Sequence, residues 1–365
     1  MGVDSSLSKS VMDIVGFLLI SAAYILQAVF RACLPRKWQQ FKDISGEIAL
    51  VTGGGGGLGR LLALRLAKLG ATVVLWDINV QGLEETVNLV KGIGGTAYAF
   101  KCDIADKDDV YRAADITRKE VGDVTILINN AGVVSGNLLL NTPDHLIKRT
   151  FDVNIIAHFW TVKAFLPKMI ETDHGHIITV ASMAGFVGTY KLVDYCSSKY
   201  AAVGFDEALR VELEAQGIYG VKTSVVCPYF IQSTGMFNDV NTRFLPTLKP
   251  NDVADRIIEA LQKEETVVMM PNVFRIGLIL RLIVPWSVVS MFMRGLVLDP
   301  TPHHNPKIKE KTENGNIPSI PNGNIEETID GCKSKIEKID DVPKNTVKHA
   351  VASIQHRNVN GKNLH

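Results

Sequence analysis

The chain has almost no charge excess: 39 Lys and Arg face 38 Asp and Glu, a formal net charge of +1 over 365 residues. With no global basic field, nucleic acid is not expected as its main partner. Cysteine is scarce and unpatterned. Cys33, Cys102, Cys196, Cys227 and Cys332 form no C-x-x-C pair and no Cys/His ligand spacing. That argues against a disulfide scaffold and structural zinc, and it fits a reducing compartment. His174 and His176 lack a third ligand at suitable spacing, so no metal site is expected and the pair reads as the turn before a strand. Cys196 has no evident histidine partner and reads as a small core thiol. From Thr301 onward aromatic residues are absent, 10 Lys/Arg accompany 8 Asp/Glu, and NGNI occurs twice. Such a segment cannot bury enough apolar surface to offset its ordering entropy, so residues 301–365 are expected to be a disordered tail.

Long uncharged runs are also rare. Ile14 to Phe30, IVGFLLISAAYILQAVF, is 17 residues without a charge, at the lower end of what spans a bilayer. Asp4, Lys9 and Asp13 precede it; Arg31, Arg36, Lys37 and Lys42 follow. If the run spans, that asymmetry puts the downstream side in the cytoplasm. The stretch before it is not basic and the run is long for a signal sequence. Residues 1–44 are therefore expected to be a retained membrane anchor with a basic linker, spanning or forming a shallow hairpin. A second apolar region, Val267 to Leu298, is broken by Pro271, Arg275, Arg281, Pro285 and Arg294. Two readings of it stand: a membrane-surface segment with snorkelling arginines, or a pair of core or dimer-interface helices.

Between these segments lies EIALVTGGGGGLGRLLALRLAKLGATVVLWDINV, residues 47 to 80. Ile48 to Val51 reads as a strand, and Leu58, Leu61, Leu62, Leu66 and Leu69 recur at helical spacing until Gly70. Thr72 to Trp76 is a second strand, closing on Asp77. A strand, glycine loop, helix, strand and acid in that order suit a dinucleotide. Glycines let the backbone approach a pyrophosphate, and the helix N-terminus offers N–H groups and a favourable dipole. Asp77 can accept from ribose hydroxyls and would repel a 2′-phosphate. The glycine loop itself holds no Lys or Arg, which favours NAD over NADP, although Arg60 lies just beyond it. Further strands are expected at Ala97–Cys102, Ile126–Asn129, His176–Val180 and Lys222–Val226, with helical patterns between them. That alternation argues for an α/β fold, a doubly wound and mainly parallel sheet with helices on both faces. Asp103, Asn129–Gly132 and Ser182 then fall at the carboxyl ends of strands, where ligands bind in such sheets.

The set Thr52-Gly53-x-x-x-Gly57-x-Gly59, Asp103, Asn129-Asn130-Ala131-Gly132, Asn154, Ser182 and Tyr195-x-x-x-Lys199 resembles the short-chain dehydrogenase/reductase family over roughly residues 45 to 270. Spacing sharpens the match: Tyr195 follows Ser182 by 13 residues and Asn154 follows Asn129 by 25. VLWDIN, NNAGVVSG, AHFWTVKAFLP and TGMF look most like the membrane-associated retinol dehydrogenase subgroup, with lipid-droplet 17β-hydroxysteroid dehydrogenases as near relatives. The resemblance implies a Rossmann-type catalytic domain over 45–270, an apolar segment over 271–300, and a location at the endoplasmic reticulum membrane or lipid droplets. It also implies cofactor contacts from Thr52, Gly53, Gly57, Leu58, Gly59, Asp77, Asp103, Asn129, Ala131, Gly132, Tyr195, Lys199 and Pro228. Two departures stand out. The loop carries five consecutive glycines, and YFIQSTGMF is one residue longer than the subgroup pattern. The hydroxyl that contacts the nicotinamide is therefore Ser233 or Thr234.

Tyr195 and Lys199, at i and i+4, share a helix face. An ammonium near the phenol, together with the positive nicotinamide ring of oxidised cofactor, should favour phenolate, so Tyr195 is expected to accept the alcohol proton with Ser182 binding the substrate oxygen. The resemblance gives Asn154 a water that links Lys199 to solvent. Phe186, Val187, Tyr190, Phe230, Met236, Phe237 and Phe244 are candidates for an apolar substrate pocket. The expected activity is NAD-dependent oxidation of a lipophilic alcohol, retinol first and a 17β-hydroxysteroid or other lipid alcohol second. The expected partners are membrane lipid and a second copy of the chain. The different-class alternative is a non-catalytic nucleotide-binding scaffold at membranes.

Overall fold

Residues 2–33, 41–232, 236, 240–242 and 245–299 are described by a computed structural model. Ser233, Thr234, Phe237, Phe244 and the expected tail lie outside the described residues. The chain opens with α1 (Gly2–Cys33). Within it Lys9–Gln27, 19 residues of mean hydropathy 1.7, is long and apolar enough to cross a membrane, and none of it is buried.

β1 (Ile48–Thr52) shows why the centre of the chain folds as it does. Ala49 and Val51 join one apolar layer and Leu50 joins the other, so a continuous apolar run covers both faces, as a central parallel strand requires. Helices and strands then alternate: α2 (Gly57–Lys68), β2 (Thr72–Asp77), α3 (Val80–Gly92), β3 (Ala97–Lys101), α4 (Lys107–Glu120) and β4 (Ile126–Asn129). α5 (Asp144–Phe151) passes through a π-helical turn, Asp152–Ile156, into α6 (Ala157–Glu171). β5 (Gly175–Val180), α7 (Val193–Ala215) and β6 (Val221–Pro228) follow. The described chain closes with β7 (Asn241–Thr242), α8 (Pro250–Lys263), β8 (Val267–Met270), α9 (Phe274–Ile283), α10 (Trp286–Leu296) and β9 (Val297–Asp299).

Seven strands form one parallel sheet in the order β3-β2-β1-β4-β5-β6-β8. The order reverses between β1 and β4, which opens a crevice at the carboxyl ends of the strands. α2 and α8 cover one face, and α4, α6 and α7 the other. β7 and β9 pair separately as a short antiparallel ribbon.

The second apolar region divides differently from either expectation. Its first four residues are the outer strand of the sheet, with Val267 opposite Val225 and Met270 opposite Pro228. Two adjacent valines and a free edge on β6 favour a backbone ladder over a helical turn there. Helix follows in two pieces, α9 and α10, and the last two residues, Val297 and Leu298, belong to β9. α9 and α10 turn Leu282, Ile283 and Trp286 to the outside, with Leu282 at 87% exposure.

Two histidines are buried, His158 on α6 and His176 within β5. His158 has no hydrogen-bond partner among the described residues for either ring nitrogen. His176 meets Ser224 Oγ at 2.8 Å, and that hydroxyl donates to the Glu265 carbonyl at 2.6 Å. The proton between them therefore belongs to His176 Nε2. Burial pushes both imidazoles down to about 3. Because these folded values lie below the unfolded value of about 6.5, only the unfolded chain takes up protons first as pH falls. Stability should therefore be intact above pH ~6.5 and decline toward pH ~3, at up to about 1.4 kcal/mol per pH unit for each histidine. Urea unfolding of the full chain between pH 7 and 4.5 measures this. His158→Phe should flatten the slope, and an unchanged slope would exclude His158 as a source.

Candidate active site

The first half of the site is backbone. β1 ends at Thr52, and the chain turns sharply at Gly53, whose φ is +69°. The amides of Gly53 and Gly54 donate to the Trp76 carbonyl at 2.8 and 3.1 Å, which lays the loop along the end of β2. α2 then starts with no side-chain cap and no acid in its first turn. Its first N–H groups are left for a ligand, and the helix dipole favours an anion there. A Cβ on Gly59 would lie 2.0 Å from the Gly53 carbonyl oxygen, so only glycine lets the helix pack this close to the loop.

Asp77 closes the loop from the side. Its carboxylate accepts from Gly55 N and from Asn79 N, each at 2.9 Å. Arg60 turns away toward α3, donating to Gly55 O and Thr86 Oγ1 at 3.0 Å and to Glu85 at 2.8 Å. The cation that left NADP open in the sequence is thus paired with a carboxylate while still touching the loop at the Gly55 carbonyl.

The second half of the site is built from side chains. α7 places Tyr195 and Lys199 one turn apart, 5% and 3% exposed. Lys199 Nζ donates to the Val180 carbonyl at 2.9 Å and lies 5.8 Å from the centre of the Tyr195 ring. Ser182, two residues past Val180, caps a short 3-10 turn by accepting from Ala184 N at 3.1 Å. Its hydroxyl donates to Pro228 O at 3.3 Å and contacts the Tyr195 hydroxyl. Burial raises the Tyr195 phenol above its ordinary value, with the Ser182 hydrogen bond pulling the other way. Burial also pushes Lys199 down to about 8. In the protein alone, desolvation outweighs the Ser182 hydrogen bond at the phenol.

Asn154 sits in the π-helical turn, fully buried. Its Oδ1 accepts from Val133 N and its Nδ2 donates to Val133 O, both at 2.9 Å, and Nδ2 also reaches Ser198 Oγ at 3.0 Å. The amide is spent on joining the 131–134 loop to α7, beside Lys199. It does not line the cavity.

A single cavity of about 410 Å³ runs through both halves. Gly53, Gly57, Leu58, Asp77, Asp103, Ala131, Gly132, Ser182, Tyr195, Lys199 and Pro228 line it. Thr52, Gly59 and Asn129 do not. The Thr52 hydroxyl accepts from the amides of Asn130 and Ala131 at 3.0 and 3.1 Å, and Asn129 accepts from Thr161 under α6. Both hold the strand ends in place. Asn130, one residue on, faces the cavity and donates to Thr52 O at 2.9 Å.

At the apolar end, Val187, Phe230 and Met236 line the wall as expected, joined by Leu192, Tyr229, Phe274 and Met293. Tyr190 is turned to solvent and Phe186 packs in a core cluster instead. Phe274 and Met293 belong to α9 and α10, and nothing local in the sequence ties those helices to Tyr195. Arg149 was also unforeseen; it lines the opposite end of the cavity beside Asp103.

A profile of the family described as short chain dehydrogenase matches residues 47–244. Epidermal retinol dehydrogenase 2 of Homo sapiens is 46% identical over 282 residues, covering 76% of this chain and 89% of that protein. Estradiol 17-beta-dehydrogenase 11 of Homo sapiens is 42% identical over 286 residues, covering 78% and 94%. Among solved structures, a short chain dehydrogenase/reductase from Burkholderia phymatum in complex with NAD superposes with a TM-score of 0.60 at 25% identity, over 72% of this chain and 99% of its own. A metagenomic short-chain oxidoreductase in complex with NADP gives 0.54 at 28%, over 62% and 96%. By its sequence and its seven-stranded sheet, the chain belongs to the short chain dehydrogenase family of oxidoreductases.

Proposed function

We propose that this protein oxidises a lipophilic alcohol with NAD at a membrane surface, retinol to retinaldehyde before a 17β-hydroxysteroid. The observation that carries the reading is the continuity of the cavity. It joins a backbone-lined, acid-marked end to an apolar end, with Ser182, Tyr195 and Lys199 between them. The uncapped start of α2 and the Gly53 turn fit a pyrophosphate, and Asp77 fits a ribose diol better than a 2′-phosphate. The names of the relatives support an alcohol that is retinol-like or steroidal. A scaffold would not require Ser182, Tyr195 and Lys199 to converge on one cavity.

In the proposed mechanism, NAD held by the Gly53 turn, the start of α2 and Asp77 would accept the hydride and would add a positive charge to the site. Tyr195, as phenolate, takes the proton from the alcohol oxygen. Ser182 Oγ holds that oxygen and stabilises its developing charge. Lys199 keeps a positive charge under the phenol, and Asn154 fixes the loop and helix that set their spacing. Ser233 or Thr234, Ala131, Gly132 and Pro228 are assigned to the nicotinamide end.

We assign residues 1–44 to a membrane anchor. The catalytic unit starts near residue 45 and extends past 270, because Phe274 and Met293 complete its wall. The apolar outer faces of α9 and α10 support contact with the endoplasmic reticulum membrane or lipid droplets on the cytoplasmic side.

Cofactor reduction by membranes containing the protein, with retinol, a steroid and a fatty alcohol in parallel, tests the reading. Retinol should give the highest kcat/KM, and no turnover of any of the three would sink the proposal. Tyr195→Phe should cut kcat by roughly 10²–10⁴, the range for loss of a positioned acid or base; unchanged turnover would remove Tyr195 from the mechanism. Since the phenol must lose its proton and burial raises its pKa, kcat/KM for oxidation should climb from neutral to alkaline pH. Asp77→Asn should narrow the preference for NAD over NADP by about tenfold, the factor equivalent to 1.4 kcal/mol. Equal use of both cofactors by the unmutated protein would refute the assignment.

A further inference from the structure

On α9, Phe274, Leu278 and Arg281 fall at i, i+4 and i+7 and so share one face. Phe274 is buried in the apolar cluster around Met183 and Tyr229, and Leu278 packs against the same cluster. Arg281 ends that stripe with a charge. Its Nη1 donates to the Phe186 carbonyl and to the Tyr200 hydroxyl, the latter at 3.1 Å. Both partners are neutral, and Arg281 does not line the cavity.

Phe186 stands at the end of the turn that Ser182 begins. Ser182 caps the 3-10 turn Met183–Gly185 by accepting from Ala184 N at 3.1 Å, and Phe186 closes it. Gly185 N donates to Ser182 O at 2.8 Å, and the amides of Phe186 and Val187 donate to Met183 O at 3.0 and 3.1 Å. Carbonyls at the end of a helical turn find no partner within it, and an arginine side chain can satisfy them. The turn therefore has Ser182 as its cap at one end and Arg281 at the other. It also rests on α7: a Cβ on Gly185 would lie 2.7 Å from the Lys199 carbonyl oxygen and 2.8 Å from a Val203 methyl. Tyr200, the second partner of Arg281, is the residue after Lys199. One guanidinium thus ties the far end of the Ser182 turn to the part of α7 that carries Tyr195 and Lys199.

We propose that Arg281 is a positioning residue for the reaction centre: by capping this turn and bridging it to Tyr200, it makes the placement of Ser182 against Tyr195 depend on α9. The proposal rests on the reading that Ser182 and Tyr195 handle the alcohol oxygen, and it adds a residue that acts on them only through the turn.

Two measurements on the full chain in detergent test this: steady-state oxidation of retinol, and hydrogen exchange over residues 183–189. Arg281→Met should lower kcat by about tenfold, within the ~10²-fold that a remote misplacement of about 1 Å can cost, and should move KM much less. Exchange over 183–189 should rise while β1 and β4 keep their protection. Arg281→Lys, which can still donate to a carbonyl, should restore part of both. Arg275→Met is the control: Arg275 is also on α9 but donates to the Val267 carbonyl, and its loss should leave kcat and the 183–189 segment as they were. A rise in KM with kcat unchanged would reduce Arg281 to a support for the apolar wall, and unaltered exchange over 183–189 would remove the cap; either result overturns the proposal. If Arg281→Met unfolds the chain, seen as lost protection along β1 and β4, Tyr200→Phe carries the same test by removing one of the two contacts. No turnover by the unmutated protein would count against the proposed function, and the exchange data would still decide the cap.

Discussion

Lys199 is 3% exposed, and its ammonium donates to the carbonyl of Val180 at 2.9 Å, so the end of a sheet strand positions the cation. Taking an ammonium out of water is costly unless it is hydrogen-bonded, and the contact ties α7 to the end of β5. That tie sets the rest of the geometry. Ser182 follows Val180 by two residues, and Tyr195 precedes Lys199 by one helical turn, so one contact brings the two hydroxyls together. Asn154 braces the same helix from the other side through Ser198, the neighbour of Lys199.

The parts of the site legible in the sequence are those encoded by short spacing. Tyr195 and Lys199 are one turn apart, and Gly53, Gly57 and Gly59 lie within one loop and one helix start. Asp77 is reached by a single helix and strand. Each needs only local structure to place it. The parts that were not legible depend on the sheet order. Arg149 meets Asp103, 46 residues away in sequence, only once the sheet has assembled, and Phe274 reaches the cavity because β8 docks on β6. No helical or strand period encodes either contact. Asn129 and Asn130 show a subtler limit. Both fall at the end of β4, but the alternation of a strand sends one under α6 and the next to the cavity, and that parity becomes fixed only when β4 pairs with β5.

Electrostatic balance at the site has two parts, and the protein alone supplies only one of them. A lysine four residues from a tyrosine implies a lowered phenol pKa only if neither group loses much hydration. Here both are buried, and desolvation disfavours the charged form of each, raising Tyr195 and lowering Lys199. A further positive charge brought beside Tyr195 acts against that penalty, in a place where little water screens it. Protonation of the phenol is therefore coupled to what fills the cavity, in line with a base that is formed only when cofactor is bound.

The apolar end of the cavity depends on helices with two different faces. α9 and α10 send Phe274 and Met293 inward and leave Leu282, Ile283 and Trp286 outside. Arg281, on α9, donates to the Phe186 carbonyl and reaches the Tyr200 hydroxyl at 3.1 Å. Phe186 lies in the loop after Ser182, and Tyr200 is the residue after Lys199. A displacement of α9 thus breaks contacts to both sides of the proposed reaction centre while also moving the wall against which a substrate would pack. With so much apolar surface outside, the position of these helices depends on what covers them. The shape of the cavity's apolar end is then set by the same pair of helices that carries this outer surface.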